Sequence, residues 1–262
     1  GVCNGDSSTC GIGGCTDEYS FEYDSNATVD DGTCSYINDG NTSLKFDGID
    51  DIVRISDNSK LEFVDQGTIM LWMKTDQDQA KFAGLVSKSN DDATGGNYYG
   101  NSYYISWAGN INDNNNNHLK ALIRNSTSSA SNFVRYDNLD ELTDGNWHHI
   151  AFTFDGDQLK LYIDGILVDS SNQTIAQIRD LDCNLKIGGD TFGQDSDAHG
   201  EFYDGLIDDV TIWKTAWAEE HILSYFENGI SSWIQDYTDY YSAGWIFDQS
   251  SKAVNKFEKQ QA

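Results

Sequence analysis

From Ser43 onward, short apolar runs alternate with polar breaks, with the period of two that a half-buried strand requires. In Gln158–Ile163, for example, Leu159, Leu161 and Ile163 fall on one side and Lys160 and Tyr162 on the other. Runs of this kind, rich in Ile, Val, Phe and Tyr and bounded by Gly, Asn or Asp, predict eleven strands: Ser43–Phe46, Ile52–Ile55, Thr68–Lys74, Gly84–Ser87, Tyr103–Trp107, Lys120–Arg124, Asn132–Tyr136, His148–Phe154, Gln158–Ile163, Asn184–Gly188 and Leu206–Trp213. Asp155-Gly156 and Asp164-Gly165 have the chemistry of tight hairpin turns, since Asp and Gly tolerate positive φ. One segment, Ala216–Asn228, instead carries Ile222, Leu223, Tyr225 and Phe226 at helical spacing, with Gly229 as its stop. Many short strands with a single helix define an all-β fold, a two-sheet jelly-roll sandwich with one short C-terminal helix.

Both ends read differently, which divides the chain into residues 1–36, 37–230 and 231–262. Residues 1–36 hold Cys3, Cys10, Cys15 and Cys34, four of the five cysteines. A dense, even set in an apolar-poor segment predicts disulfides and an oxidising compartment. Of the three possible connectivities, Cys3–Cys10 with Cys15–Cys34 closes only local loops. Zinc is the rival, but the segment lacks CxxC pairs and histidines. Cys183 reads as a buried small hydrophobe. Between Cys15 and Cys34, oxygen side chains recur at Asp24, Asn26, Thr28, Asp30 and Asp31, as in the front half of an EF-hand loop, without its closing Glu. Two readings stand: a calcium loop in the N-terminal module, or an Asx-turn loop held by the disulfide alone. In residues 231–262, Ser242–Asp248 is strand-like and Trp233, Tyr237, Tyr240 and Tyr241 are conspicuous. Such a tail is expected to cover its own domain or to add to a neighbour's sheet edge as an assembly segment.

Charge narrows the function. With 43 acidic and 16 basic residues the chain carries −27, which excludes nonspecific nucleic-acid binding and argues against an anionic membrane surface. No apolar run approaches the roughly 20 residues of a membrane span, so no membrane insertion is expected. The acids divide into 34 Asp and 9 Glu. Asp favours turns and hard-cation sites, so loop-rich β structure with calcium as cofactor is expected. There is no proline, which leaves Gly, Asn and Asp to make the turns.

Two resemblances add to this reading. Gly14-Cys15-Thr16-Asp17 and Glu22-Tyr23-Asp24-Ser25-Asn26-Ala27-Thr28-Val29-Asp30-Asp31-Gly32-Thr33-Cys34 resemble a short Cys- and Asp-rich repeat of secreted proteins of marine and gliding bacteria. That resemblance implies an extracellular or cell-surface protein. Residues 43–230 resemble a laminin-G-like domain of the concanavalin A-like jelly-roll superfamily. The motifs are Leu44–Val53, Gly67–Lys74, Asn146-Trp147-His148-His149-Ile150-Ala151, Leu161-Tyr162-Ile163-Asp164-Gly165 and Gly205–Trp213, in the family's order. One departure is Ala218, where the family has a capping Ser or Thr; a lost cap costs about 1 kcal/mol. The resemblance implies a structural calcium where the opening and closing strands meet. Its candidate ligands are Asp47, the Gly48 carbonyl, Asp50, Asp51, Asp208 and Asp209. Carboxylates gathered in this way repel unless a hard cation neutralises them.

Catalysis is not expected. Jelly-roll glucanases need paired carboxylates on one strand face, and none of the nine Glu lies in such a run. Asp208 and Asp209 are adjacent on a strand and should face opposite sides. His148 and His149 belong to the family's structural Trp-His-His motif. For recognition, Tyr98 and Tyr99 are the loop aromatics available to stack on a sugar, whereas Tyr103, Ile105 and Trp107 alternate as core. The expectation is a noncatalytic, calcium-binding surface or structural protein, acting in adhesion or self-assembly with other subunits, including a filament. The alternative is a carbohydrate-binding module of a polysaccharide-degrading system, with an extracellular glycan as partner.

Overall fold

The computed structural model describes residues 11–14, 24–30, 43–80, 82–89, 101–108, 117–126, 131–175, 177–191, 200–228 and 241–245. The chain divides into two compact units, one ending at Thr42 and one beginning at Ser43. In the first, β1 (Gly13–Gly14) and β2 (Val29–Asp30) form a parallel pair. Asp24 Oδ1 accepts from the Asn26 backbone N–H at 2.9 Å and its side-chain amide at 3.0 Å, an Asx turn. Thr28 Oγ1 accepts from the Ile12 N–H. The cysteines of both expected disulfides lie outside the described residues, as do Asp31 and the side chain of Asp30.

The second unit is built from β3 (Leu44–Asp47), β4 (Val53–Ile55), β5 (Gly67–Lys74), β6 (Gly84–Ser89), β7 (Asn101–Ala108), β8 (His118–Arg124), β9 (Ser131–Tyr136), a short helix α1 (Leu139–Leu142), β10 (Trp147–Phe154), β11 (Gln158–Ile163), β12 (Ile166–Asn172), β13 (Leu185–Ile187), β14 (Gly189–Thr191), β15 (Gly200–Phe202), β16 (Asp204–Trp213), the helix α2 (Glu219–Asn228) and β17 (Tyr241–Trp245). Among the described residues, seven strands form one sheet in the order β12-β11-β10-β5-β16, with β3 and β17 both on the far side of β16. Six form the other, in the order β4-β13-β6-β7-β8-β9. The pleat sends Ile69, Leu71, Met73, Ile150, Phe152 and Leu161 inward from the first, against Leu85, Tyr103, Ile105, Trp107, Ala121 and Val134 from the second. This is the two-sheet sandwich that the alternation predicts, and each of the eleven expected strands has its counterpart.

The Asp164-Gly165 turn is found as expected, whereas the strand that follows it and the irregularity within β16 were not legible. Asp164 (φ 51°) and Gly165 (φ 78°) form a two-residue hairpin turn that places Ile163 opposite Ile166 and so creates β12. β12 escapes a propensity reading because it ends Asp-Ser-Ser-Asn, a poor strand former tolerated on an edge. The second case is β16. Its register slips between Asp208 and Thr211, and Asp209 takes φ 47°, so one extra residue is inserted as a bulge. The rephasing lets Ile207 and Val210 both face the core, and it leaves Asp208 and Asp209 both buried. The simple alternation that put the two carboxylates on opposite faces does not apply there. The bulge also marks the point where the outer partner of β16 changes from β3 to β17.

The helix α2 covers the outer face of the seven-stranded sheet. Ile222 and Tyr225 pack with Met70, Ala151, Tyr162, Trp213 and Trp217 in a second apolar cluster. Trp72 stacks on Phe226 with ring centroids 5.7 Å apart, and His149 lies between Trp72 and Tyr225. Burial on both faces explains why β5 reads as an unbroken apolar run. The strand-like tail segment is found as β17, paired antiparallel with β16 of its own sandwich. Trp233, Tyr237 and Tyr240 lie outside the described residues. Cys183 is half-buried rather than fully enclosed.

Candidate binding site

The turn after β3 gathers Asp47, Asp50 and Asp51, each with a carboxylate oxygen within 4.8 Å of the others; all three residues are exposed. Asp47 organises the turn: its Oδ1 accepts from the N–H groups of Ile49 (2.9 Å) and Asp50 (3.4 Å), while its own N–H donates to Asp51 Oδ2. Gly48 sits at φ 71° and donates to the Tyr203 carbonyl. The residue opposite Asp47 on β16 is Asp204. Asp208 and Asp209 lie four and five positions further along that strand, so the fold brings together only the first part of the expected ligand set. Beside the turn, an open groove of about 520 Å³ is lined by Lys45 and Lys74 on either side of Leu206, with Thr75, Gln77 and Asp204. Its lining mixes both signs of charge.

The adjacent histidines do structural work. His148 Nδ1 lies 2.8 Å from Asp164 Oδ2, and its Nε2 lies 3.1 Å from Asp144 Oδ1. Asp164 Oδ1 also accepts from the His149 N–H at 2.7 Å. The imidazole therefore clamps the β11–β12 turn to the loop before β10. Burial alone would lower the pKa of His148; the bonds and charges of Asp164 and then Asp144 outweigh it, and the pKa is raised. Burial would raise Asp144, but bonds from Asn146 and His148 hold it below its usual value. A raised histidine stabilises the fold below its usual pKa of 6.5 and loses that contribution as pH rises through the folded value. A lowered Asp144 contributes above its usual 3.8 and fails as pH falls through its folded value. The clamp is therefore strongest in mildly acidic solution. Thermal unfolding should show wild type losing more stability than His148→Gln between about pH 6 and about pH 9; parallel profiles would contradict the clamp. His148→Ala should cost about 2 kcal/mol, the scale of hydrogen bonds to charged groups.

The outer face of the six-stranded sheet has a composition unlike the rest of the molecule. Its strands contain Arg54, Lys88, Lys120, Arg124, Arg135 and Lys186, six of the 16 basic residues, and no Asp or Glu. Lys88 pairs with inward-facing Tyr103. The other five lie on the outer side of the pleat. Toward β4, Asp190 of β14 lies against this face and accepts from Ser87 at 2.8 Å and from Ser89. Toward β9, Phe133 stands 39% exposed opposite buried Leu122, and Arg135 is directly opposite Lys120. The Lys120 ammonium lies 4.5 Å from the Phe133 ring centroid and 5.9 Å from that of Tyr104. Burial, and then the charge of Arg124, lower the pKa of Lys120. Sequence reasoning missed this set. Alternation around Tyr103 does place Tyr104 outward, but only the strand order shows that the acid-free strands share one sheet. Tyr98 and Tyr99 lie outside the described residues.

This sandwich, with a helix on one outer face and an aromatic, polar surface on the other, is a lectin-like binding-domain fold. Residues 47–223 match the laminin G type of the Concanavalin A-like lectin/glucanases superfamily, and the chain belongs to that family. Among solved structures, it is similar to a protein from Bacteroides ovatus ATCC 8483 provisionally named a carbohydrate binding protein: 13% identity, TM-score 0.56, covering 79% of this chain and 52% of that one. It is also similar to domain 4 of AbnA, an extracellular arabinanase of glycoside hydrolase family 43 from Geobacillus stearothermophilus, in complex with arabinotriose: 19% identity, TM-score 0.48, covering 70% of this chain and 75% of that one. A third is the receptor binding domain of a botulinum neurotoxin C/D mosaic serotype, with 16% identity, TM-score 0.48, and coverage of 73% and 43%. No curated protein sequence matches the chain. Among the described residues no helix is long and apolar enough to cross a membrane.

Proposed function

We propose that the protein is a noncatalytic carbohydrate-binding module that acts outside the cell. The observation that carries this reading is the β8–β9 face, where part-exposed Phe133 offers ring surface beside Lys120 and Arg135 on paired strands. A sugar needs an apolar ring to stack on and fixed polar groups for its hydroxyls. The provisional name of the Bacteroides ovatus protein agrees with this. The cysteine-dense N-terminal segment supports the extracellular setting. The test is retention of the full chain on a panel of immobilised polysaccharides. Phe133→Ala should weaken binding at least about tenfold, the loss of a central aromatic contact, and no new reducing ends should appear. Retention unchanged in Phe133→Ala, or release of reducing ends, would overturn the reading.

Calcium at the Asp47–Asp51 turn belongs to this proposal. Three hard carboxylates fit the donor chemistry, with Gly48 as a carbonyl candidate and waters completing the six to eight oxygens that calcium takes. Calcium at about ten times its Kd should add roughly 1.4 kcal/mol, or about 3–5 °C in Tm. Asp47→Asn/Asp51→Asn should abolish that shift, and an unchanged shift would place the ion elsewhere.

Self-assembly remains a second reading, favoured by one observation. β3 and β17 share the outer edge of β16 end to end, so that edge takes its strand in two pieces, one from the C-terminal segment. The same edge can take β17 from a second copy. Light scattering should then show oligomers that vanish when residues 231–262 are removed; a monomer at all concentrations would end this reading.

A further inference from the structure

The β8–β9 face poses an electrostatic problem. Lys120 and Arg135 are directly opposed across an antiparallel pair. Like charges so placed destabilise a sheet. The chain has 43 acidic residues from which partners could be drawn, yet the six strands of this sheet contain none. Arg135 does reach Asp137 of the following loop, at 3.4 Å, but both side chains are about half exposed or more, and such a pair contributes little. Asp169 of β12 approaches the same edge and accepts from the Arg135 backbone N–H, not from its guanidinium. A chain of net −27 thus places two cations, Lys120 and Arg135, directly side by side on one face, where a bound anion would relieve their mutual repulsion.

What kind of anion follows from the ring between them. Phe133 is part-exposed, and Lys120 stands over it. A free phosphate or an acidic peptide has no need of this aromatic surface, whereas a sugar ring bearing an acid group uses both. We propose that the outer face of β8 and β9, around Phe133, Lys120 and Arg135, binds an anionic polysaccharide whose sugars carry carboxylate or sulfate groups. This rests on the carbohydrate-binding reading and narrows it to a substrate class. The sugar ring stacks on Phe133, and the acid groups of successive sugars pair with Lys120 and Arg135.

The experiment is affinity electrophoresis of the full chain in gels containing alginate or polygalacturonate (carboxylate), dextran sulfate (sulfate), or neutral dextran, laminarin and xylan. Wild type should be retarded by at least one acidic polymer, and less so as salt rises. Lys120→Gln/Arg135→Gln should weaken that retardation at least about tenfold. Lys120→Arg should restore most of the single Lys120→Gln loss, and Lys160→Gln, on β11 of the other sheet, should change little; thermal unfolding confirms that each variant is folded. Which acidic arm responds names the acid group. Retardation by neutral polymers alone would overturn the anionic assignment and leave carbohydrate binding standing. Retardation by none would remove both. Acidic retardation unaltered in the double variant would overturn this location.

Discussion

Replacing Lys88 by methionine should cost about 3–5 kcal/mol, among the largest effects of any single substitution in this sandwich. Lys88 is the one basic residue of the six-stranded sheet that points inward, and its side chain is fully buried. Its ammonium lies 2.8 Å from Asp57 Oδ1 and donates to the Leu181 carbonyl, so it ties β6 to the segment just before Ser59 and to the loop after Arg179. Without it, a mostly buried carboxylate loses its counter-charge. The double variant Lys88→Met/Asp57→Leu should recover most of the loss, because an apolar pair of similar volume is close to neutral. Urea denaturation checks both. A single variant within about 1 kcal/mol of wild type, or a double variant no better than the single, would show that the pair is not what holds this edge.

The second large effect is expected at Gly188, between β13 and β14. Its φ is 83°, and a Cβ there would lie 2.0 Å from the ring of buried Phe46. Both of its backbone groups are in use, with N–H donating to Leu85 and C=O accepting from Tyr203. Gly188→Ala therefore combines left-handed backbone strain with overpacking, roughly 4 kcal/mol in sum. Gly156→Ala is the control. It has φ 91° but no neighbour within 3.7 Å, the nearest being the Asp65 carbonyl at 3.8 Å, so it should cost only the strain, about 1–2 kcal/mol. Equal losses at the two positions would mean that Phe46 moves aside freely.

Much of the sandwich was legible because alternation is a local signal. Leu159, Leu161 and Ile163 mark a buried face whatever strand lies next to them, and Asp164-Gly165 marks a hairpin by its own backbone chemistry. Strand order and register are not local. Nothing near Asp47 indicates that Asp204, rather than Asp208 or Asp209, stands opposite, because the register of β3 on β16 joins segments far apart in sequence. Ser87-Lys88-Ser89 reads as a polar stretch, and only the slipped register with β7 turns Lys88 inward. The cationic face was hidden for the same reason: β4, β13 and β6 are distant in sequence and adjacent in space. His148 and His149 were read as structural from their motif. The clamp to Asp144 and Asp164, and the stack under α2, give that role its physical content.

The most direct test of the binding face is a backbone NMR titration of the full chain with a short oligosaccharide cut from whichever polysaccharide retards it. Shifts should centre on Tyr104, Lys120, Phe133 and Arg135, with smaller changes along β7 and β8. Shifts confined to the Asp47–Asp51 turn and the groove between Lys45 and Lys74 would contradict this assignment and move the sugar site to the opposite sheet.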